Sequence, residues 1–216
     1  DGRVKTLHPA IHAGILARGS NLEDLETLSS LGYSRIDLVC VNLYPFESVA
    51  NESPPVKEED LLEMIDIGGP TLLRAAAKSH QDVLVVPRKK YYQEVIDALD
   101  ETNGNPNAVS KDLRQRMAIS AFQRTAGYDV MVASTLAERL SVTMESPAGI
   151  PARLLVSGSQ AHPLRYGENP HQMAGWFDSS PTSLPSTGLA AAVQHGGKEL
   201  SFNNYLDLDA ALRFAR

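Results

Sequence analysis

A near-continuous apolar run, Ile36-Asp37-Leu38-Val39-Cys40-Val41-Asn42-Leu43-Tyr44-Pro45, constrains this chain more than any other stretch. It is rich in β-branched residues and lacks the strict alternation of a strand with one wet face. Such a run suits a parallel strand buried on both faces. A second run, Asp82-Val83-Leu84-Val85-Val86, closes at Pro87, and helical stretches lie between the two. Strand–helix alternation up to Val86 therefore predicts an α/β domain with a mainly parallel sheet. In open sheets of that kind ligands bind at the carboxyl ends of the strands, which is where Asn42 and Tyr44 fall. Taken alone, Tyr44 can equally be a cap on the core.

Between the two runs, Val56 to Asp66 reads as an acidic helix, and Ile65-Asp66-Ile67-Gly68-Gly69-Pro70 leads into Thr71-Leu72-Leu73-Arg74-Ala75-Ala76-Ala77-Lys78. Two glycines permit backbone conformations that other residues avoid. Pro70 suits a first helical position, where its missing N–H costs nothing. Leu and Ala then favour helix. The expected result is a tight turn at the positive end of a helix dipole, able to hold an anion or a developing oxyanion on backbone N–H groups. A plain turn is the alternative. On linear spacing Arg74 is the nearer cation, since Lys78 lies roughly 12 Å from Pro70 along a helix axis.

Upstream, Arg3-Val4-Lys5-Thr6 sets two cations and a hydroxyl before a short helix over Ala10 to Arg18. His8 and His12 stand four residues apart, a spacing that can suit a metal, but no accompanying carboxylate completes an H-E-x-x-H pattern, and no metal site is expected. Asn21 to Leu31 is an acidic amphipathic helix stopped by Gly32. Downstream, Tyr91 to Asp100 and Ser110 to Leu140 read as helices. The second carries an apolar stripe of Leu113, Met117, Ala121, Tyr128, Val132 and Leu136, interrupted at Gly127. Ser146-Pro147-Ala148-Gly149-Ile150-Pro151 then reads as a connector, which divides the chain into domains at 1–146 and 152–216. Ala152 to Ser157 is a candidate strand, Leu164 to Gln172 a polar loop rich in Arg, Tyr, Asn and His, and a last helix begins near Leu206.

Composition narrows the class. The chain is 43% hydrophobic with a formal net charge of −6, enough apolar content for a core and an acidic balance that argues against non-specific nucleic-acid binding. A few local cations still suffice for a phosphorylated small molecule. With Cys40 alone, no intrachain disulfide or cysteine-based metal site can form, which fits a reducing compartment. No apolar stretch reaches transmembrane length. The chain starts without Met and ends in an uncapped helical pattern, so both ends are expected to be cut.

Six segments occur in order: Gly2-Arg-Val-Lys5-Thr6-Leu-His-Pro9, Asn42-Leu-Tyr-Pro-Phe46, Ile65-Asp-Ile-Gly-Gly69, Leu72-Leu-Arg-Ala-Ala-Ala-Lys78, Leu164-Arg-Tyr-Gly-Glu-Asn-Pro-His-Gln172 and Gly197-Lys-Glu-Leu-Ser-Phe-Asn-Asn204. Together they closely resemble the bifunctional purine-biosynthesis family AICAR transformylase/IMP cyclohydrolase, over essentially the whole chain. The resemblance implies a first domain of methylglyoxal-synthase-like α/β fold, a hydrolase on cyclic amidines that closes the ring of formyl-AICAR with loss of water. It implies the start of a second α/β domain, a one-carbon transferase that moves a formyl group from 10-formyltetrahydrofolate to AICAR. By the same resemblance, Lys5, Tyr44, Asp66 and Lys78 form the catalytic network, with no general base assigned among them. Arg3 and Thr6 hold the ribose phosphate, and Asn42, Ile67, Gly68 and Gly69 line the site. Arg165 and Tyr166 contact phosphate and base in the second domain. No covalently bound cofactor is implied. The implied ligands are the purine nucleotides formyl-AICAR, AICAR and IMP, with no nucleic acid and no membrane. A cytoplasmic homodimer is expected. The family's N-terminal strand–helix with its phosphate loop would precede Asp1, and its transformylase Lys-His pair would follow Arg216. An effector-binding module of the same fold, without turnover, is the alternative reading. A stand-alone module of that sort has no use for the stretch Leu164 to Gln172.

Overall fold

The computed structural model describes residues 5–140, 155–178 and 188–215, in two compact units, Asp1–Val142 and Thr143–Arg216. Arg3 and the predicted connector Ser146–Pro151 lie outside the described residues.

The first unit opens with a single 3-10 turn at Lys5–Leu7 and helix α1, Pro9–Leu16. His8 caps α1, its Nδ1 accepting the Ala10 N–H at 3.2 Å. Helix α2, Leu22–Ser30, is entered through Asn21, whose side chain accepts the Asp24 N–H at 3.0 Å. It ends as the sequence suggests. Gly32 takes φ +68°, and the Tyr33 and Gly32 N–H groups donate to the carbonyls of Leu28 and Ser29, which satisfies the last open acceptors of the helix.

Strand β1, Leu38–Cys40, pairs in parallel with β2, Leu84–Val86, in the register Leu38↔Leu84, Val39↔Val85 and Cys40↔Val86. The expected parallel sheet and α/β class are present, as a small two-stranded sheet. The expectation of burial on both faces holds for β2, whose three residues are all buried, and fails for β1. Val39 points into the core, while Leu38 and Cys40 are exposed. The cover is uneven because α5 packs on both strands while α7 packs against β2.

Short helices α3, Phe46–Ala50, and α4, Glu58–Glu63, follow β1. The latter is a shorter helix than Val56 to Asp66. Helix α5, Gly68–Lys78, then runs back across the sheet. Its buried face is Leu73, Ala75, Ala76 and Ala77, and small alanines let it approach β2 and α7 closely. After β2 come α6, Tyr92–Glu101, and α7, Lys111–Arg139. Gly127 does not interrupt α7, because the predicted stripe has its own partners on either side of that position. Met117, Ala121 and Tyr128 are all buried in the same core as Phe46, Leu73 and Val85. No described helix is long and apolar enough to cross a membrane.

The second unit contains an antiparallel hairpin, β3 Ser159–Leu164 with β4 Ala174–Asp178, and helix α8, Phe202–Phe214. The strand expected over Ala152 to Ser157 begins instead at Ser159; residues 155–158 carry no strand and 152–154 lie outside the described residues. Helix α8 begins four residues earlier than Leu206. Ser201 and Asn204 form a reciprocal cap there, a box completed by Asn rather than Glu or Gln. Trp176 stacks on Tyr205 with ring centroids 4.4 Å apart, and the Tyr205 hydroxyl meets His162 Nε2 at 2.6 Å, which ties hairpin to helix.

An exposed ion pair in the first unit has a definite acid signature. Asp24 accepts from the Arg18 side chain at 2.8 and 2.9 Å and from the Arg18 backbone at 2.9 Å. These bonds bring its pKa down to about 2. A depressed carboxylate contributes stability above its unfolded value near 3.8, and that contribution is lost as pH falls through the folded value. We expect Asp24→Asn to lower the urea midpoint slightly at pH 6, with the gap from the parent closing between pH 4 and pH 2. A gap unchanged at pH 2 would contradict the pairing.

Candidate functional site

Asp66 is where the carboxyl end of β1 and the start of α5 are joined. Its Oδ1 accepts the Gly69 N–H at 2.8 Å, and its Oδ2 accepts the Tyr44 N–H at 3.2 Å. One bond caps α5 from just outside the helix, and the other holds the strand-end loop against it. A third bond fixes the backbone of Asp66 itself, whose N–H donates to the Tyr128 hydroxyl at 2.8 Å. Tyr128 is buried and donates in turn to the Met64 carbonyl at 3.4 Å. Burial pushes its phenol above the usual value, so it stays a neutral hydroxyl able to accept and donate at once.

The glycines differ from the expected turn in position and purpose. Gly68 and Gly69 are the first two residues of α5, and Pro70 is the third, not the first. Neither glycine has positive φ; those at Gly32, Gly104, Gly188 and Gly197 do. What the two require is space. A Cβ on Gly68 would collide with the Thr6 hydroxyl, and one on Gly69 would strike the Asp66 carboxylate and come within 2.8 Å of Leu43. The close approach brings Thr6 from the N-terminal turn onto the helix start.

The donor set is also narrower than a full anion cradle. At the start of a helix the first four backbone N positions, here those of Ile67, Gly68, Gly69 and Pro70, lack intrahelical acceptors. Here Gly69 gives its own to Asp66, and Pro70 has none. The Ile67 and Gly68 N–H groups are the donors of that helix start left by this geometry. Arg74, the nearer cation on spacing, lies on α5 over the Phe122 ring at 5.7 Å from its centroid.

Of the residues singled out in the sequence, the structure gathers Thr6, Tyr44, Asp66, Gly68 and Gly69 through these contacts, with Ile67 between and Lys5 beside Thr6. Tyr44, Ile67, Asn42 and Lys5 are exposed, so they front a rigid, buried backbone junction. Asn42 donates from Nδ2 to the Tyr92 hydroxyl at 2.6 Å. Tyr92 also bonds the Cys40 thiol, which raises its phenol, against a smaller opposing effect of Asn42. Lys78 is not part of this cluster. It is the last residue of α5, exposed, about 15 Å from Gly68 along the axis. In the second unit, Arg165 donates to the Tyr166 hydroxyl at 3.1 Å and stacks over its ring at 4.8 Å. The Tyr166 phenol is lowered first by Ser201 and then by Arg165. Backbone bonds from Arg165 to Leu200 and from Phe202 to Tyr166 set this pair on the α8 cap. Asn203 is bonded to the Glu168 carbonyl and Asn169 to Gln172, both structural uses. His12 buries both ring nitrogens without a hydrogen-bond partner, and among the described residues no group of three or more His, Cys, Asp or Glu side chains could hold a metal.

A family model described as "AICARFT/IMPCHase bienzyme" matches residues 76–216. The chain belongs to this family. It is 47% identical over 213 residues to the bifunctional purine biosynthesis protein PurH of Rippkaea orientalis, covering 98% of this chain and 39% of that protein. It is 46% identical over 217 residues to PurH of Shouchella clausii, covering 100% of this chain and 40% of that protein. Among solved structures, the crystal structure of ForH matches with a TM-score of 0.53 and 35% identity, over 62% of this chain and 67% of that one. The chain thus spans about two fifths of the length of the curated relatives it matches. The model match begins beyond Asp66, so the junction of Thr6, Tyr44, Asp66 and Gly68 rests on the near-full-length likeness to the PurH proteins and on its own geometry.

Tyr128 and Tyr92 carry interactions that sequence reasoning missed. Tyr128 stood in an apolar stripe, and its one signal was a hydroxyl among stripe residues that are otherwise apolar, which must find a buried partner. We expect Tyr128→Phe to leave the Asp66 N–H unpaired and cost about 1–3 kcal/mol in urea unfolding. Gly69→Ala should be at least as damaging, because its Cβ meets both a carboxylate and a core leucine. Unchanged midpoints for both would contradict the junction described here.

Proposed function

We propose that the first unit closes the purine ring of formyl-AICAR to give IMP, and that the whole protein, of which this chain is a part, also transfers the formyl group from 10-formyltetrahydrofolate to AICAR. Family membership supports the pathway. The observation that carries the site is the convergence of Thr6, Tyr44 and Asp66 on the first turn of α5.

Ring closure forms a bond from the carboxamide nitrogen to the formyl carbon and sends the carbonyl electron pair to the formyl oxygen. That oxygen then leaves as water with two protons, one from the attacking carboxamide nitrogen and one from the formamide nitrogen, which forms the new C=N bond. A donor already aimed at the developing oxyanion is worth several kcal/mol, and the Gly68 N–H is available for it. Asp66, held by two backbone donors, is fixed in place at no cost during turnover. Tyr44 and Lys5, exposed on either side, complete the proton-handling network with Lys78, which enters on family resemblance alone. Arg3 and Thr6 take the ribose phosphate, while Asn42 and Ile67 line the base. In the second unit, the start of the transformylase domain, Arg165 and Tyr166 face the AICAR phosphate and base. The reaction calls for no bound cofactor beyond the folate cosubstrate, and the working form is a cytoplasmic homodimer.

In the full-length enzyme, Asp66→Asn and Lys5→Ala are expected to slow IMP formation about 10²–10³-fold with the fold intact. Arg165→Ala should impair formyl transfer and leave ring closure within a few-fold. IMP absorbance measures the first and single-turnover formyl transfer the second. Near-parental ring closure in both Asp66→Asn and Lys5→Ala would overturn the site. Ring closure unaffected by Lys78→Ala would remove that residue alone.

A further inference from the structure

The chain keeps a strand-like alternation past the end of β1. Leu38, Cys40, Asn42 and Tyr44 are exposed, Val39 and Leu43 are buried, and the Val41 N–H still donates to the Val86 carbonyl at 3.2 Å. Side chains two apart on an extended chain share a face, so Cys40 and Asn42 stand together on the side away from the core. Tyr92, the first residue of α6, meets that face. Its hydroxyl lies 2.6 Å from Asn42 Nδ2, a contact across 50 positions of sequence. Tyr92 is half-buried and Asn42 exposed, so the better-anchored side chain holds the freer one.

The direction of this bond decides what Asn42 can do. An amide gives N–H at one end and accepts at the other, while a phenol can do either with its single proton. The Cys40 sulfur takes that proton, and this bond to the neutral phenol is the largest cause of its raised value. The phenol oxygen is then left to accept from Asn42 Nδ2. Asn42 is thus turned with its nitrogen toward α6, and no described contact engages its Oδ1. An untethered asparagine on the surface would exchange rotamers and present either end of the amide. Two residues further on, the chain is fixed again where the Tyr44 N–H meets Asp66. The neighbouring hydroxyl has a different use: Tyr91 accepts from Oγ of the buried Ser120 at 3.0 Å, a packing contact with α7.

We propose that Tyr92 is a positioning residue for ligand binding, holding the Asn42 amide in the orientation that presents Oδ1 to a donor on the nucleotide. Tyr92 touches no reacting atom and acts only through Asn42. The inference rests on Asn42 lining the base in the proposed ring-closure site.

The test is a double-mutant cycle in the full-length enzyme, read as KM and kcat for ring closure and as IMP affinity by titration calorimetry. Tyr92→Phe is expected to raise KM and the IMP Kd about three- to tenfold, the effect of having to order one side chain on binding. It should leave kcat within about twofold, since the lost interaction is made equally in ground and transition states. Asn42→Ala should weaken binding at least as much. The combined variant should bind no worse than Asn42→Ala alone, because Tyr92 then has nothing left to position. Tyr91→Phe, which removes the adjacent hydroxyl, should leave KM near the parent value. Additive losses in the combined variant, or a KM rise in Tyr91→Phe equal to that in Tyr92→Phe, would overturn the positioning role. Weakened IMP binding in Asn42→Ala but not in Tyr92→Phe would overturn this inference and leave the site standing. Parental IMP binding in Asn42→Ala would remove Asn42 from the site, and this inference with it.

Discussion

The candidate site in the first unit depends on a single carboxylate. Asp66 accepts one N–H from the strand-end loop and one from the first turn of α5, and no other described contact joins those two segments so directly. A carboxylate is the group that can do this, because it offers two acceptor oxygens on one short arm. Its negative charge also complements the positive end of the helix dipole. The junction is stiffened from behind by Tyr128, so a 29-residue helix that spans the unit is anchored at the residue that organises the site.

Around that carboxylate the chain uses small residues where larger ones would keep the segments apart. Gly68 admits Thr6 and Gly69 admits Asp66 and Leu43. The exposed side chains Tyr44, Asn42 and Ile67 thus project from backbone that is itself held by the core. Binding groups on a rigid base lose less freedom when a ligand arrives.

The two units carry different architectures among the described residues, a parallel pair under helices and an antiparallel hairpin beside one helix. Family membership accounts for their presence in one chain. The PurH relatives extend well beyond it, since about three fifths of their length lies outside the match.

The sequence by itself determined the α/β character of the first unit, its helix α2 with the stop at Gly32, the Asp66–Gly69 stretch as the focus and the family. These are properties of local pattern: β-branched runs, a glycine after a helix, and short segments in fixed order. It did not determine the one-sided cover of β1, the placement of Gly68 and Gly69 inside α5, the continuity of α7 through Gly127, or the start of β3. Those depend on which surfaces pack on each other. The distance from Asp66 to Lys78 follows from α5 staying helical to its end, and the meeting of Asp66 with Tyr128 spans 62 positions of sequence. Contacts of that separation are selected by core packing, which no local pattern of residues encodes.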